Sequence, residues 1–251
     1  MITVASFGGG TDSTAMLIGM KRRGETVDLI LFADTGAEKP HTYAHIFDFN
    51  LWLKKNEFPE ITIVGSSGKT LEQDCWDRHA LPSIAYGFKT CSQRFKLQPQ
   101  EKYMNNWIRS ELAWKAGEKV TRCIGYEAGE ERRAKDYEDA KYINRYPLIE
   151  WGWDRAKCIQ VIKDAGLSLP GKSACFFCPS SKATEVRWLS KNHPDLFERA
   201  VAMEKNAKLT TVKGLGRDYS WGEMMKFEDA QLDFLDADHS TAEIPCGCYD
   251  G

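Results

Sequence analysis

The sequence predicts an α/β protein: a doubly wound, mainly parallel five-stranded sheet with a phosphate loop, followed by a mostly helical, cysteine-bearing appendage. Three observations predict it. Strand and helix signals alternate through the first two thirds of the chain, which implies parallel strands joined by crossover helices. A glycine-rich turn directly follows the first strand. The alternation fades after about residue 168, close to a Cys-x-x-Cys turn, so the chain divides into a nucleotide-binding domain over 1–168 and an appendage over 169–251.

The elements follow in order. Ile2–Phe7 is a short apolar strand, and a helical pattern runs from Ser13 to Arg23, ended by Gly24. Val27–Ala33 is continuously apolar, as expected of a strand covered on both faces. Pro40 opens a second helix, where its fixed φ suits the first turn. Ile61–Val64 and Val120–Gly125 are the third and fourth strands, with a long helix expected between them over Ser92–Ala116. Tyr142–Leu148 holds a fifth extended segment, and Asp154 caps a helix ending at Gly166. Further helical stretches cover Thr184–Asn192, Asp195–Lys208 and Trp221–Leu235.

Composition narrows the class. The chain has 251 residues, 42% hydrophobic and 28% charged, which is ordinary globular usage and excludes disordered and low-complexity classes. A formal net charge of −2 argues against coating nucleic acid through bulk charge, although 34 Lys and Arg can still cluster locally. No apolar run reaches the roughly 18 residues a membrane helix needs. No signal peptide is visible at Met1–Val4, so the expected location is the cytoplasm. Thiols stay reduced there, and eight cysteines then raise a metal or cluster site rather than disulfides.

The glycine turn reads Ser6-Phe7-Gly8-Gly9-Gly10-Thr11-Asp12-Ser13. Glycine permits positive φ and close approach of a ligand to the backbone, and the following helix start offers free N–H groups to phosphate. This string resembles the PP-loop of ATP pyrophosphatases, S-G-G-x-D-S, with Gly8 in place of the first serine and Ser6 nearby as a substitute hydroxyl. Gly65-Ser66-Ser67-Gly68-Lys69-Thr70 looks like a Walker loop, but Ile63 stands where that pattern needs glycine, and a surface turn is expected.

Further segments resemble the phosphoadenosine phosphosulfate (PAPS) reductase family within that superfamily: Asp34-Thr35-Gly36 ending strand two, Cys91-Ser92-Gln93-Arg94-Phe95-Lys96, Gly125 through Arg133, and Pro147-Leu148-Ile149-Glu150-Trp151. The resemblance implies that the glycine loop, Asp34, Thr35, Gly36 and Gly125 bind an adenine nucleotide. It implies that Asp12, Arg94, Lys96 and Arg132 serve the chemistry at the phosphates. Glu130 falls where the family places a polar substrate contact. ATP and Mg²⁺ are the expected ligands.

Cys175-Phe176-Phe177-Cys178 is a half-site for zinc or an iron–sulfur cluster. Cys91, Cys246 and Cys248 are the candidate completing ligands, and Cys246 is alternatively the nucleophile of a degraded reductase tail. The resemblance favours a 4Fe–4S cluster over Zn²⁺. Cys75, Cys123 and Cys158 fall in strand or helix patterns and are expected in the core, and His41 and His45 on the surface.

The expected activity is adenylation of an acceptor at the ATP α-phosphate for sulfur or nitrogen transfer, with tRNA or DNA as candidate acceptors and a sulfur-donor or thiol-reductant protein as partner. A PAPS or adenylylsulfate reductase and a non-catalytic ATP-binding subunit are the alternatives. Homo-oligomerisation is left open, and no membrane partner is expected.

Overall fold

The structure is a computed structural model describing residues 1–65, 68–135 and 139–230. Its centre is a five-stranded sheet of order β3-β2-β1-β4-β5, formed by β1 (Thr3–Ser6), β2 (Leu29–Asp34), β3 (Ile61–Gly65), β4 (Val120–Ile124) and β5 (Tyr142–Arg145). Every pairing is parallel, with Val4 opposite Leu29 on one side and Arg122 on the other. The α/β class expected from the alternation is the one found. The strand order reverses at β1, so the carboxyl ends of β1 and β4 flank the switch point where such sheets bind ligands.

Helices cover both faces. On one, α1 (Thr11–Arg22), α2 (Pro40–Lys55) and the later helix Arg155–Asp164 bury a core around Met16, Phe32 and Phe49. Phe49 stacks on Phe7 at 5.4 Å and on Trp52 at 5.5 Å, so α2 is keyed to the residue that opens the glycine loop. Gly19 is obligatory in α1, because a Cβ there meets the Trp151 ring at 2.4 Å. The opposite face packs Val4, Leu31, Ala33, Met104 and Tyr142.

A third core joins Ala37, Leu71, Cys75 and Phe95 to Phe176, Phe177 and the C-terminal helices, including Leu189, Met203 and Trp221. The buried Glu204 carboxylate ties this region together. It accepts from the backbone N–H groups of Leu215 (2.6 Å), Trp221 (2.9 Å) and Gly222 (3.2 Å). Among the described residues, no helix is long and apolar enough to cross a membrane.

Several boundaries differ from expectation. The helix expected over Ser92–Ala116 is a run from Thr90 to Asn106 with a π-helical stretch at Gln93–Leu97, then a break at Trp107 (ψ 118°) and a new helix Ile108–Lys115. The buried Ser110 hydroxyl secures the break, lying 2.7 Å from the Trp107 carbonyl oxygen. β5 stops at Arg145, and Pro147 starts a helical turn rather than extending the strand. A short helix, α3 (Leu71–Asp77), was not anticipated; Thr70 caps it by accepting from the Gln73 N–H at 3.1 Å.

Phe49→Ala removes a fully buried ring from the core beneath the glycine loop. It is expected to cost about 3–5 kcal/mol, measured as a lower urea midpoint with the slope unchanged.

Candidate functional site

The glycine loop sits at the carboxyl end of β1, between Ser6 and α1. Gly9 has φ +75°, a conformation that disfavours any side chain, and a Cβ there would stand 3.1 Å from the Thr42 methyl. The loop braces itself. The Gly8 N–H donates to Ser13 Oγ (3.2 Å), and the Ser13 and Thr14 hydroxyls donate to the Gly10 carbonyl (3.3 and 2.8 Å). No side chain caps the helix start at Gly10, which leaves the positive end of α1 for an anion. Gly125, just past β4, is equally constrained: a Cβ would meet the backbone of Asp12 and Ser13 at 2.9–3.1 Å.

His45 is not a surface residue. It is buried, and its Nε2 lies 2.9 Å from Thr14 Oγ1. The Thr14 proton is directed to Gly10, so His45 Nε2–H donates. Burial pushes the imidazole down to about 4, so the ring stays neutral near pH 7. The apolar spacing of α2 could have signalled this inward face. His41 is half-buried, and its Nε2 lies 3.1 Å from the Lys172 carbonyl oxygen.

Beside the loop stands a second group that sequence reasoning did not single out. Among the described residues, Asp12, Glu127 and Cys158 are the trio of His, Cys, Asp or Glu whose donor atoms all lie within 4.8 Å of one another. Arg155 Nη1 donates to Asp12 Oδ1 at 2.9 Å, yet burial still raises the Asp12 carboxyl. Burial and the Asp12 charge push Glu127 up to about 7, and its Oε2 is buried without a partner. Glu130 pairs with Arg133 at 2.7 Å, and Arg133 lies over the Tyr126 ring.

A thiol pocket forms on the other side of the loop that follows β2. Cys91, Cys175 and Cys178 line it together with Thr35, Ser92 and Lys96. Thr35 Oγ1 lies 3.3 Å from Cys175 Sγ and donates to Glu38 Oε1 at 3.3 Å. Glu38 pairs with Lys96 at 3.4 Å, both side chains almost wholly buried, and the Glu38 Oε2 is unpartnered. The Cys-x-x-Cys segment is fastened to the same loop by a bridge between Glu38 and Cys175 and by the Phe176 N–H donating to the Ala37 carbonyl at 2.9 Å. The three sulfurs do not all fall within 4.8 Å of one another. That spread exceeds the ~3.8 Å that Zn–S bonds of about 2.3 Å impose on tetrahedral thiolates.

The candidates of the sequence thus fall into distinct places. Ser6 is buried, and its hydroxyl lies 3.3 Å from Gln100 Oε1. Phe7, Gly8, Gly9, Gly10, Thr11, Asp12 and Ser13 form the loop and helix start. Asp34 accepts from the Gly36 N–H (2.7 Å) and the Tyr43 hydroxyl (2.9 Å), while Gly36 has φ +71° and abuts Thr70. Arg94 pairs with Asp74 at 3.2 Å, and Lys96 serves the thiol pocket. Arg132 is exposed on a short turn, Glu131–Arg133. Lys69 is exposed and pairs with Asp77 at 2.5 Å. Cys75, Cys123 and Cys158 are buried. Cys246 and Cys248 lie outside the described residues.

Comparison with known proteins gives the following. No protein-family model matches the chain. It is similar to an uncharacterized protein of Methanocaldococcus jannaschii, 24% identical over 208 residues, covering 78% of this chain. The chain spans only 40% of that relative's length. Among solved structures it is similar to a phosphoadenylyl-sulfate (PAPS) reductase from Candida auris, in a phosphate complex, at 16% identity over 68% of this chain and 75% of that one, TM-score 0.45. It is also similar to the U34-tRNA thiolase NcsA from Methanococcus maripaludis, solved with its 4Fe–4S cluster, at 14% identity over 89% of this chain and 81% of that one, TM-score 0.44. At these identities likeness extends to neither activity nor substrate, which rest on the chain's own residues.

Two outcomes follow from this geometry. Gly125→Ala forces the start of α1 to shift, and it is expected to cost about 1–3 kcal/mol, read as a lower urea midpoint with the slope unchanged. Glu127 has a folded pKa above its ordinary 4.5. Its contribution to stability is therefore present at low pH and lost as pH rises through about 7. The urea midpoint of Glu127→Gln, taken relative to wild type, should accordingly be higher at pH 8 than at pH 5.

Proposed function

We propose that this chain is a PP-loop ATP pyrophosphatase that activates an acceptor for sulfur transfer, with nucleic-acid thiolation as the leading acceptor chemistry. One observation carries the reading. A phosphate-binding loop and a pocket lined by Cys91, Cys175 and Cys178 are built on the same segment, Thr35–Thr42, which touches Gly9 at one end and Cys175 at the other. Nucleotide chemistry and sulfur chemistry are then neighbours.

In this reading the backbone of Gly8–Ser13 and the positive end of α1 grip the β- and γ-phosphates. An oxygen of the acceptor attacks the α-phosphorus, the bond to the bridging oxygen breaks, and pyrophosphate leaves. A sulfur nucleophile then displaces AMP from the activated carbon. Asp12 and Glu127 are the carboxylates that would hold Mg²⁺, which offsets charge on the leaving pyrophosphate when bound. Arg155 Nη1, 2.9 Å from Asp12 Oδ1, orients that carboxyl group.

The residues around the thiol pocket suit a 4Fe–4S cluster: three thiols, a wall of apolar side chains, and sulfurs spread more widely than zinc requires. When bound, such a cluster supplies a site for anionic sulfur beside the nucleotide. Cys246 or Cys248 would complete the ligand set or contribute a reactive thiol. The sulfur itself would come from a donor protein or free sulfide.

The test is an anaerobic assay of the iron-reconstituted chain with ATP, Mg²⁺, sulfide and either bulk tRNA or DNA. Pyrophosphate, AMP and a thiolated nucleic acid are expected, with Cys175→Ser reducing thiolation at least a hundredfold while leaving ATP affinity within twofold. Sulfite from PAPS plus a thiol reductant, with no pyrophosphate from ATP, would instead make the chain a reductase. Tight ATP retention with neither product would make it a binding subunit.

A further inference from the structure

The Asp34-Thr35-Gly36 resemblance assigns Thr35 to the nucleotide, but its hydroxyl is committed elsewhere. The residue is only 3% exposed and lines the thiol pocket. Its Oγ1 lies 3.3 Å from Cys175 Sγ and 3.3 Å from Glu38 Oε1. A hydroxyl has one proton to place between these two atoms. An ionised carboxylate only accepts, and a thiol sulfur accepts weakly. While Cys175 is a thiol, the Thr35 proton therefore goes to Glu38, and the Cys175 S–H donates to Thr35 Oγ1. Glu38 does not depend on that proton for its counter-charge, because Lys96 Nζ lies 3.4 Å from the same Oε1. Its Oε2 is buried without a hydrogen-bond partner.

Ligation reverses this arrangement. As a metal–sulfur bond forms, the thiol proton leaves to solvent, and the bound sulfur has none left to give. The 3.3 Å contact then remains a hydrogen bond only if the Thr35 hydroxyl turns to the sulfur, a rotation about its C–O bond that moves no heavy atom. Glu38 gives up one contact and keeps Lys96. We propose that Thr35 is a positioning residue that donates its hydroxyl proton to the Cys175 thiolate of a metal centre held by Cys91, Cys175 and Cys178. This rests on the reading of those cysteines as ligands and adds a specific residue to it. A hydrogen bond to a ligating sulfur draws charge from the centre and raises its reduction potential. Such outer partners are worth about 10–100-fold in metal affinity. The Thr35 backbone is held independently of its side chain, since its carbonyl accepts from the Leu71 N–H at 2.9 Å. Thr35→Val thus keeps the shape of the residue and removes only the proton and the oxygen.

The full chain and its Thr35→Val, Thr35→Ala and Thr35→Ser variants are reconstituted anaerobically with ferrous iron and sulfide. Iron content, visible absorbance, midpoint potential and the rate of iron loss to a chelator are read for each. Urea unfolding is measured on the metal-free proteins, and ATP affinity is titrated in parallel. Thr35→Val is expected to show a more negative midpoint and iron loss about tenfold faster. Its metal-free urea midpoint and its ATP affinity should stay close to wild type. Thr35→Ser keeps the hydroxyl and should restore the midpoint potential. Thr35→Ala against Thr35→Ser gives the same comparison if the valine variant folds poorly. A variant without the hydroxyl that keeps the wild-type midpoint, even if it loses iron faster, reduces Thr35 to packing and overturns the assignment. A defect in ATP affinity alone overturns it too and returns Thr35 to the nucleotide. A wild-type chain that takes up no iron overturns the cysteine reading itself, and the proposal with it.

Discussion

The buried pair of Glu38 and Lys96 is the constraint on which the rest of the site depends. Two charges 3.4 Å apart and almost completely covered are not a cheap source of stability. Desolvation offsets most of their attraction, whereas separating them leaves an uncompensated buried charge. Their value is therefore positional. Lys96 belongs to the π-helical stretch that follows Cys91, Glu38 to the loop after β2, and the Glu38 backbone bridges Cys175. Three segments distant in the sequence must converge for the pair to form, and their convergence is what brings three cysteines to one pocket. The π-helical stretch has a role in this, since one extra residue per turn re-aims the side chains that follow it.

The same loop reaches the glycine loop after β1 by a different kind of contact. The Thr42 methyl lies against the outer face of Gly9, and His45 one turn later holds the Thr14 hydroxyl. Beneath them the stacked rings of Phe7, His45, Phe49 and Trp52 make α2 a rigid backing plate. The neutral state of His45 matters here. Burial suppresses an imidazolium under the loop and outweighs the opposing pull of Asp48. A glycine loop is compliant by nature, and its definition comes from what it is pressed against.

What was legible in the sequence follows physical lines. The strands could be read because fully covered parallel strands are continuous apolar runs, as in Leu29–Ala33. The glycine loop could be read because positive φ at Gly9 and backbone proximity at Gly125 leave no other residue type free of strain. The break at Trp107 could not, because neither glycine nor proline marks it and a buried serine hydroxyl secures it. Lys39, Lys96 and Glu38 were the hardest. Charged residues are ordinarily solvated, and only the tertiary fold reveals that these three are not. Glu127 was hidden likewise: its elevated pKa arises first from burial and then from the charge of Asp12, more than a hundred residues away in sequence. Sequence patterns report periodicity and local conformation well, but they do not report which polar residues lose their water.

Net charge shows the same limit from the other direction. The formal value of −2 counts against a polyanionic partner only if charge is evenly spread along the chain. It is not. Residues 227–251 contain seven Asp and Glu and no Lys or Arg. All 34 basic residues therefore lie in 1–226, where 29 acidic residues leave an excess of five positive charges. The part of the chain that builds the glycine loop and the thiol pocket is cationic, and the acidity of the total belongs to a different segment. Association with nucleic acid depends on the local phosphate-facing charge and not on the sum over the chain. The acidic total is thus no argument against the proposed tRNA or DNA acceptor, and the proximity of the glycine loop to the thiol pocket is the feature on which that proposal turns.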